Sequence, residues 1–180
     1  SFEHHDATNL VAVIGYSIAY FFFLPAFGIL IGVCLARKKE IVPLRVLSLA
    51  VTFDYLLSLP FFLFFPVPER WTSADSSAIL LSDLWSTKLI ESIRPLSGLD
   101  NSFPSFHVSL TMVLVLVCFL FHVRFRLTWA VLGSLVVIGT FILGIHWIPD
   151  ILAGIAVGTF SVMLAVRLGS SPARPRVHTV

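Results

Sequence analysis

The sequence predicts an all-α, polytopic bundle of membrane-spanning helices, and three observations carry that prediction. Mean hydropathy is +0.95. Apolar residues make up 57% of the chain and charged residues 12%, about half the charged share of an ordinary soluble domain. The apolar residues are also gathered into long runs, close to the ~20 residues with which a helix crosses the hydrocarbon of a bilayer. A soluble fold of 180 residues could not hide so much apolar surface, so lipid is the expected solvent of its exterior.

Five runs qualify or nearly qualify as spans. The first is Leu10 to Ala36, too long for a signal-peptide core and without a preceding basic residue, hence a mature membrane helix. The second runs from Pro43 to Phe65, the third from Val108 to Val123, the fourth from Leu127 to Trp147 and the fifth from Ile151 to Leu168. Between the second and third, Ala78 to Ile93 places Leu81, Leu84, Trp85 and Leu89 near helical spacing, which predicts a short helix lying at the interface or against the bundle. Residues 1–168 therefore read as one membrane-embedded domain. The small, polar, proline-containing stretch from Gly169 to Val180 reads as a loose tail. Gly154 and Gly158 in "GIAVG" allow another helix to come close, within the bundle rather than at a dimer seam. Cys34 and Cys118 fall inside apolar runs and read as small buried hydrophobes. Asp54, in mid-span, is expected to face a polar cavity or to accept a hydrogen bond from a neighbouring helix. His4, His5 and His122 read as surface residues.

Five spans sort the connecting segments onto two sides. Arg37, Lys38, Lys39, Arg45, Arg124, Arg126, Arg167, Arg174 and Arg176 share one side with a single acid, Glu40, whereas the other side carries only Arg70, Lys88 and Arg94 as bases. The positive-inside rule makes the first side cytoplasmic. Three polar clusters then share the extracytoplasmic face: "KLIESIRP" at Lys88 to Pro95, "PSFH" at Pro104 to His107 and "HWIPD" at His146 to Asp150.

These clusters suit phosphoryl transfer. On a continuous helix, residues four apart lie about 40° from each other around the axis, so Asp150 is expected to pair with His146. The carboxylate would accept one imidazole N–H and leave the other nitrogen as nucleophile. A second histidine, His107, suits the protonation of a leaving oxygen. Lys88 and Arg94 suit phosphate oxygens, and Ser105 with the amides at the start of the third span supplies donors at a helix N-terminus. A metal site built from His107, His146 and Asp150 has no specific spacing signature. No metal or cofactor is expected, and no nucleic-acid partner. The expected partners are a phosphorylated lipid and the bilayer, with oligomeric state open.

In order and spacing the clusters resemble the type 2 phosphatidic acid phosphatase superfamily, whose pattern is KxxxxxxRP, PSGH and SRxxxxxHxxxD. The resemblance covers Lys88 to Asp150. It implies His146 as the nucleophile that becomes a phosphohistidine, Asp150 as its orienting group, His107 as general acid, and Lys88, Arg94 and Ser105 as phosphate ligands. It also implies a six-helix core, of which five spans are present here.

Three positions depart from the pattern. Lys88 precedes Arg94 by six residues rather than seven, which on a helix turns the pair about 120° apart. Phe106 stands where PSGH has glycine, and Gly139 and Thr140 stand where the pattern has Ser-Arg. The last departure, with "FPSFH", resembles the branch that includes inositol phosphorylceramide and sphingomyelin synthases, which pass a phospho-headgroup to an alcohol. The expected function is a lipid-phosphate phosphatase acting on a phosphomonoester or pyrophosphate. The alternatives are a lipid phosphotransferase, or an inactive bundle that binds a lipid phosphate or a partner protein.

Overall fold

The computed structural model describes residues 24–38, 40–70, 73, 101–142 and 144–169. They form five helices: α1 Leu24–Ala36, α2 Ile41–Phe64, α3 Phe106–Leu120, α4 Arg126–Ile142 and α5 Ile148–Gly169. One isolated parallel bridge joins Val67 to Asn101, and no strand occurs among the described residues. The all-α class is as expected. The first half of the expected opening span, the expected interfacial helix at Ala78 to Ile93 and the tail beyond Gly169 lie outside the described residues.

α2 and α5 have 24 and 22 residues and are long and apolar enough to cross a membrane. At 1.5 Å per residue they extend about 36 and 33 Å. α1, α3 and α4 are apolar but shorter, with 13, 15 and 17 described residues. The expected fourth span reaches Trp147, but α4 stops at Ile142. Gly144 ends it with φ 72°, a left-handed conformation in which glycine is the usual helix terminator. The amide of Gly144 donates to Phe141 O at 3.0 Å and that of Ile145 to Thr140 O at 3.1 Å, using carbonyls that the helix end would leave unpaired.

α5 starts earlier than the apolar run suggests. Asp150, in its first turn, accepts the amide of Trp147 at 2.9 Å, which caps the helix from within. Pro149 fits because an amide in the first turn has no intrahelical acceptor to lose.

α5 packs along both α2 and α3, α4 lies on α3, and α1 touches α2 and α3. Small residues make this possible. Gly154, Gly158, Ser161, Ala165 and Gly169 occupy the buried face of α5. A Cβ on Gly154 would come within 2.6 Å of Ser105 O, and one on Gly158 within 2.3 Å of Ser109 O. Neither position has room for a methyl group, so the close approach expected of "GIAVG" is made inside the bundle, against the backbone of α3.

Polar residues lie inside the bundle and large apolar ones outside it. Asp54, Ser58, Ser109, Thr111 and Ser161 are buried, whereas Leu63, Phe64, Leu127 and Leu152 are each more than 60% exposed. Such an outside suits an apolar surrounding and not water. Asp54 accepts a hydrogen bond from Ser109 Oγ at 3.0 Å, the second of its two expected environments. α2 and α3 run antiparallel, since Tyr55 meets Phe106 and Phe61 meets Phe103. The apolar core gathers at the other end, around Phe27, Ile31, Val46, Val113 and Val117, with Phe27 stacked on Trp129 at 4.8 Å. Cys118 is buried, Cys34 half-buried, and both are free thiols.

Candidate active site

The residues that follow α2 hold two loops in place. Val67 O accepts the amide of Ser102 at 3.0 Å, and Pro68 O accepts the indole N–H of Trp147 at 3.2 Å. The amide of Arg70 donates to Ile145 O at 3.1 Å. One short segment thus fastens the approach to α3 and the approach to α5 side by side. A direct link joins them as well, from Ser105 N–H to Asp150 O at 3.0 Å. Helix starts 42 residues apart in sequence become one unit.

His146 lies just before α5, with its amide donating to Thr140 O at 3.3 Å. His146 and Asp150 are 3% and 2% exposed. The expected pairing of the two is made at ion-pair distance but not as a direct hydrogen bond. His146 Nδ1 and Asp150 Oδ2 stand 3.6 Å apart, too far for a hydrogen bond. The reason is local. The four-residue rule holds within a continuous helix, and His146 precedes the first helical residue. Ser102 fills the gap: its Oγ donates to Asp150 Oδ2 at 2.7 Å and lies 3.1 Å from His146 Nδ1. Sequence reasoning passes over Ser102, since it belongs to none of the three motifs. Its only signal is its place three residues before Ser105.

His107, half-buried in the first turn of α3, shares a cavity with His146. The cavity measures about 300 Å³, and Tyr55, Leu59, Phe62, Asn101 and Phe106 complete its described wall. Two imidazoles therefore meet in a pocket whose other walls are mostly aromatic and aliphatic. Such a pocket combines groups capable of acid–base and nucleophilic chemistry with an apolar wall.

Ser105, ahead of α3, is fully buried, and its hydroxyl has no hydrogen-bond partner among the described residues. Its amide serves Asp150 O, so this donor at the start of α3 is not offered to an anion. Thr140, where the family pattern has arginine, is also buried and donates its hydroxyl to Val137 O at 2.7 Å. Lys88 and Arg94 lie outside the described residues. No group of three or more His, Cys, Asp or Glu among the described residues is arranged to hold a metal ion.

The family model for the PAP2 superfamily matches residues 43–171, more than two thirds of the chain and the whole of the site. No curated protein and no solved structure gives a significant match.

Proposed function

The chain belongs to the PAP2 superfamily, and on that premise we propose that it is a membrane enzyme hydrolysing the phosphomonoester or pyrophosphate of a lipid through a phosphohistidine at the extracytoplasmic face. The observation that carries the proposal is the shared cavity of His107 and His146. His146 attacks phosphorus and the bond to the leaving oxygen breaks. His107 gives that oxygen its proton. Water, deprotonated by His107, then attacks the phosphohistidine and releases inorganic phosphate. Asp150 stabilises the positive imidazole of the intermediate. Arg94 and Lys88 neutralise phosphate oxygens, with Ser105 in support. The aromatic and aliphatic wall favours a lipid over a soluble phosphate, and the apolar exterior and the two full-length apolar helices favour a bilayer around the bundle.

A second reading has its own support. No guanidinium occupies the place of Thr140, and "FPSFH" resembles the headgroup-transferring branch, so an alcohol in place of water would make the enzyme a phosphotransferase. Product analysis separates the two. Purified protein in detergent micelles is given lipid phosphates and pyrophosphates with and without an alcohol acceptor. Inorganic phosphate released in proportion to substrate lost supports hydrolysis. A phosphorylated acceptor without free phosphate overturns it in favour of transfer.

The role of His107 is tested through the leaving group. His107→Ala is expected to slow hydrolysis of a lipid phosphate by on the order of 10² to 10⁴-fold. A nitrophenyl phosphate, whose leaving group needs no proton, is expected to lose far less. Equal losses with both substrates would remove His107 from the role of general acid.

Orientation follows from the charge asymmetry. In a background without Cys34 and Cys118, a cysteine at Ser73 is expected to react with an impermeant thiol reagent added outside intact cells. A cysteine at Ser171 is expected to react only after permeabilisation. The reverse pattern would place the site on the cytoplasmic face.

A further inference from the structure

We propose that Ser102 is a positioning residue for this reaction: it links the Asp150 carboxylate to His146 Nδ1 and thereby fixes Nε2 as the nucleophilic nitrogen. The inference rests on the phosphohistidine reading above.

It follows from counting protons. A serine hydroxyl has one hydrogen to donate and lone pairs with which to accept. Asp150 Oδ2 receives Ser102 Oγ at 2.7 Å and the amide of Trp147 at 2.9 Å. Oδ2 accepts from both, so the one proton of the serine is spent on the carboxyl group. Towards His146, 3.1 Å away, Ser102 Oγ then presents only lone pairs. Nδ1 must carry the hydrogen, and in a neutral imidazole that leaves the free lone pair on Nε2. His146 lines the cavity, and Ser102, which occupies Nδ1, is not among the residues of its described wall. When Nε2 takes the phosphoryl group the ring becomes cationic, and the same chain of hydrogen bonds delivers the carboxylate's stabilisation to Nδ1–H.

Ser102 is held for the task. It is fully buried, its amide is bonded to Val67 O at 3.0 Å, and the neighbouring Asn101 pairs with Val67. The hydroxyl has little freedom to turn elsewhere. A direct His–Asp contact would need His146 to close a gap that its bond to Thr140 O and the start of α5 hold open.

The test uses full-length protein in lipid nanodiscs, labelled with ¹⁵N-histidine. The His146 signals are identified by their loss in His146→Ala. In the unsubstituted protein at neutral pH, Nδ1 is expected to show the chemical shift of a protonated ring nitrogen and Nε2 that of an unprotonated one. Ser102→Ala is expected to mix the tautomers and to lower kcat by about 10- to 100-fold, the effect of one lost hydrogen bond to a charged pair, with KM changed less than about threefold. Ser102→Thr keeps the hydroxyl and is expected to restore both the tautomer and most of kcat. The proposal is overturned if the unsubstituted protein holds its proton on Nε2. It is equally overturned if folded Ser102→Ala keeps kcat within about twofold, or if Ser102→Thr is as slow as Ser102→Ala while folded. The spectrum of the unsubstituted protein decides the matter even if the alanine variant fails to fold. Activity in His146→Ala would instead overturn the phosphohistidine reading, leaving the tautomer measurement to stand on its own.

Discussion

His146→Ala is expected to yield a folded protein without turnover. Under the proposed mechanism the ring supplies the atom that takes the phosphoryl group, and among the described cavity residues only His107 offers another nucleophilic nitrogen. Removing a nucleophile in a covalent mechanism costs far more than removing a proton donor. A loss on the order of 10⁵-fold or more is expected, by analogy with other covalent enzymes stripped of theirs. The covalent intermediate should vanish with the activity. A phosphoenzyme trapped from unsubstituted protein should resist alkali and break down in acid, as phosphohistidine does, and none should form in the variant. Helical content and a monodisperse profile in detergent check the fold. The side chain is buried beside a cavity, so its truncation leaves a modest packing defect and not a collapsed core. Full activity in a folded His146→Ala protein would end the phosphohistidine mechanism.

Asp150→Asn is expected to produce the second-largest loss, and one of a different kind. Asparagine keeps the shape, and its carbonyl oxygen can still accept Ser102 and the amide of Trp147. What disappears is the negative charge facing a ring that turns positive during the reaction. The comparable change in the serine-protease triad, where an aspartate orients a catalytic histidine, lowers kcat by about 10⁴-fold. A loss on the order of 10³ to 10⁴-fold is expected here. It should be the same for a lipid phosphate and for a nitrophenyl phosphate, because the charge acts on the nucleophile and not on the leaving group. That pattern separates Asp150→Asn from His107→Ala. A selective loss with the poorer leaving group would assign Asp150 to protonating the leaving oxygen.

Much of the fold could be read in one dimension, because apolar runs of helical length leave few alternatives. α2 was expected over Pro43 to Phe65 and occupies Ile41–Phe64. It begins after Glu40 and ends ahead of Pro66, which disfavours helix in the residue before it. The ends that sequence placed poorly are those decided by backbone geometry. α4 stops at Ile142 because Gly144 turns the chain, and apolarity alone carries the run on to Trp147. α5 begins at Ile148 because Asp150 caps Trp147, a contact that a polar interruption conceals. The site was legible to the same depth. The chemistry of His107, His146 and Asp150 shows in residue type and spacing, and the structure brings the two histidines to one cavity. His146 and Asp150 do stand at ion-pair distance, but the direct hydrogen bond expected from helix geometry fails because that geometry does not apply ahead of a helix. Ser102 could not be anticipated, because its place between them depends on Val67, 35 residues earlier, holding the backbone of the Asn101–Ser102 turn. Ser105 shows another limit: residue type marks it as a donor, but its burial against α5 depends on Gly154, whose lack of a side chain lets the two backbones meet.

The bond from Ser105 N–H to Asp150 O, with Gly154 and Gly158 laid against the α3 backbone, also has a consequence for biosynthesis. At about 5–20 residues per second, a ribosome needs roughly 2 to 9 s to travel from Ser105 to Asp150. During that interval His107 has been made but His146 has not. A chain released before α5 lacks His146, Asp150 and the surface that closes over Ser105 and Ser109. Under the proposed mechanism, competence then arrives with the final described helix and all at once, and activity doubles as a report that this helix has been packed.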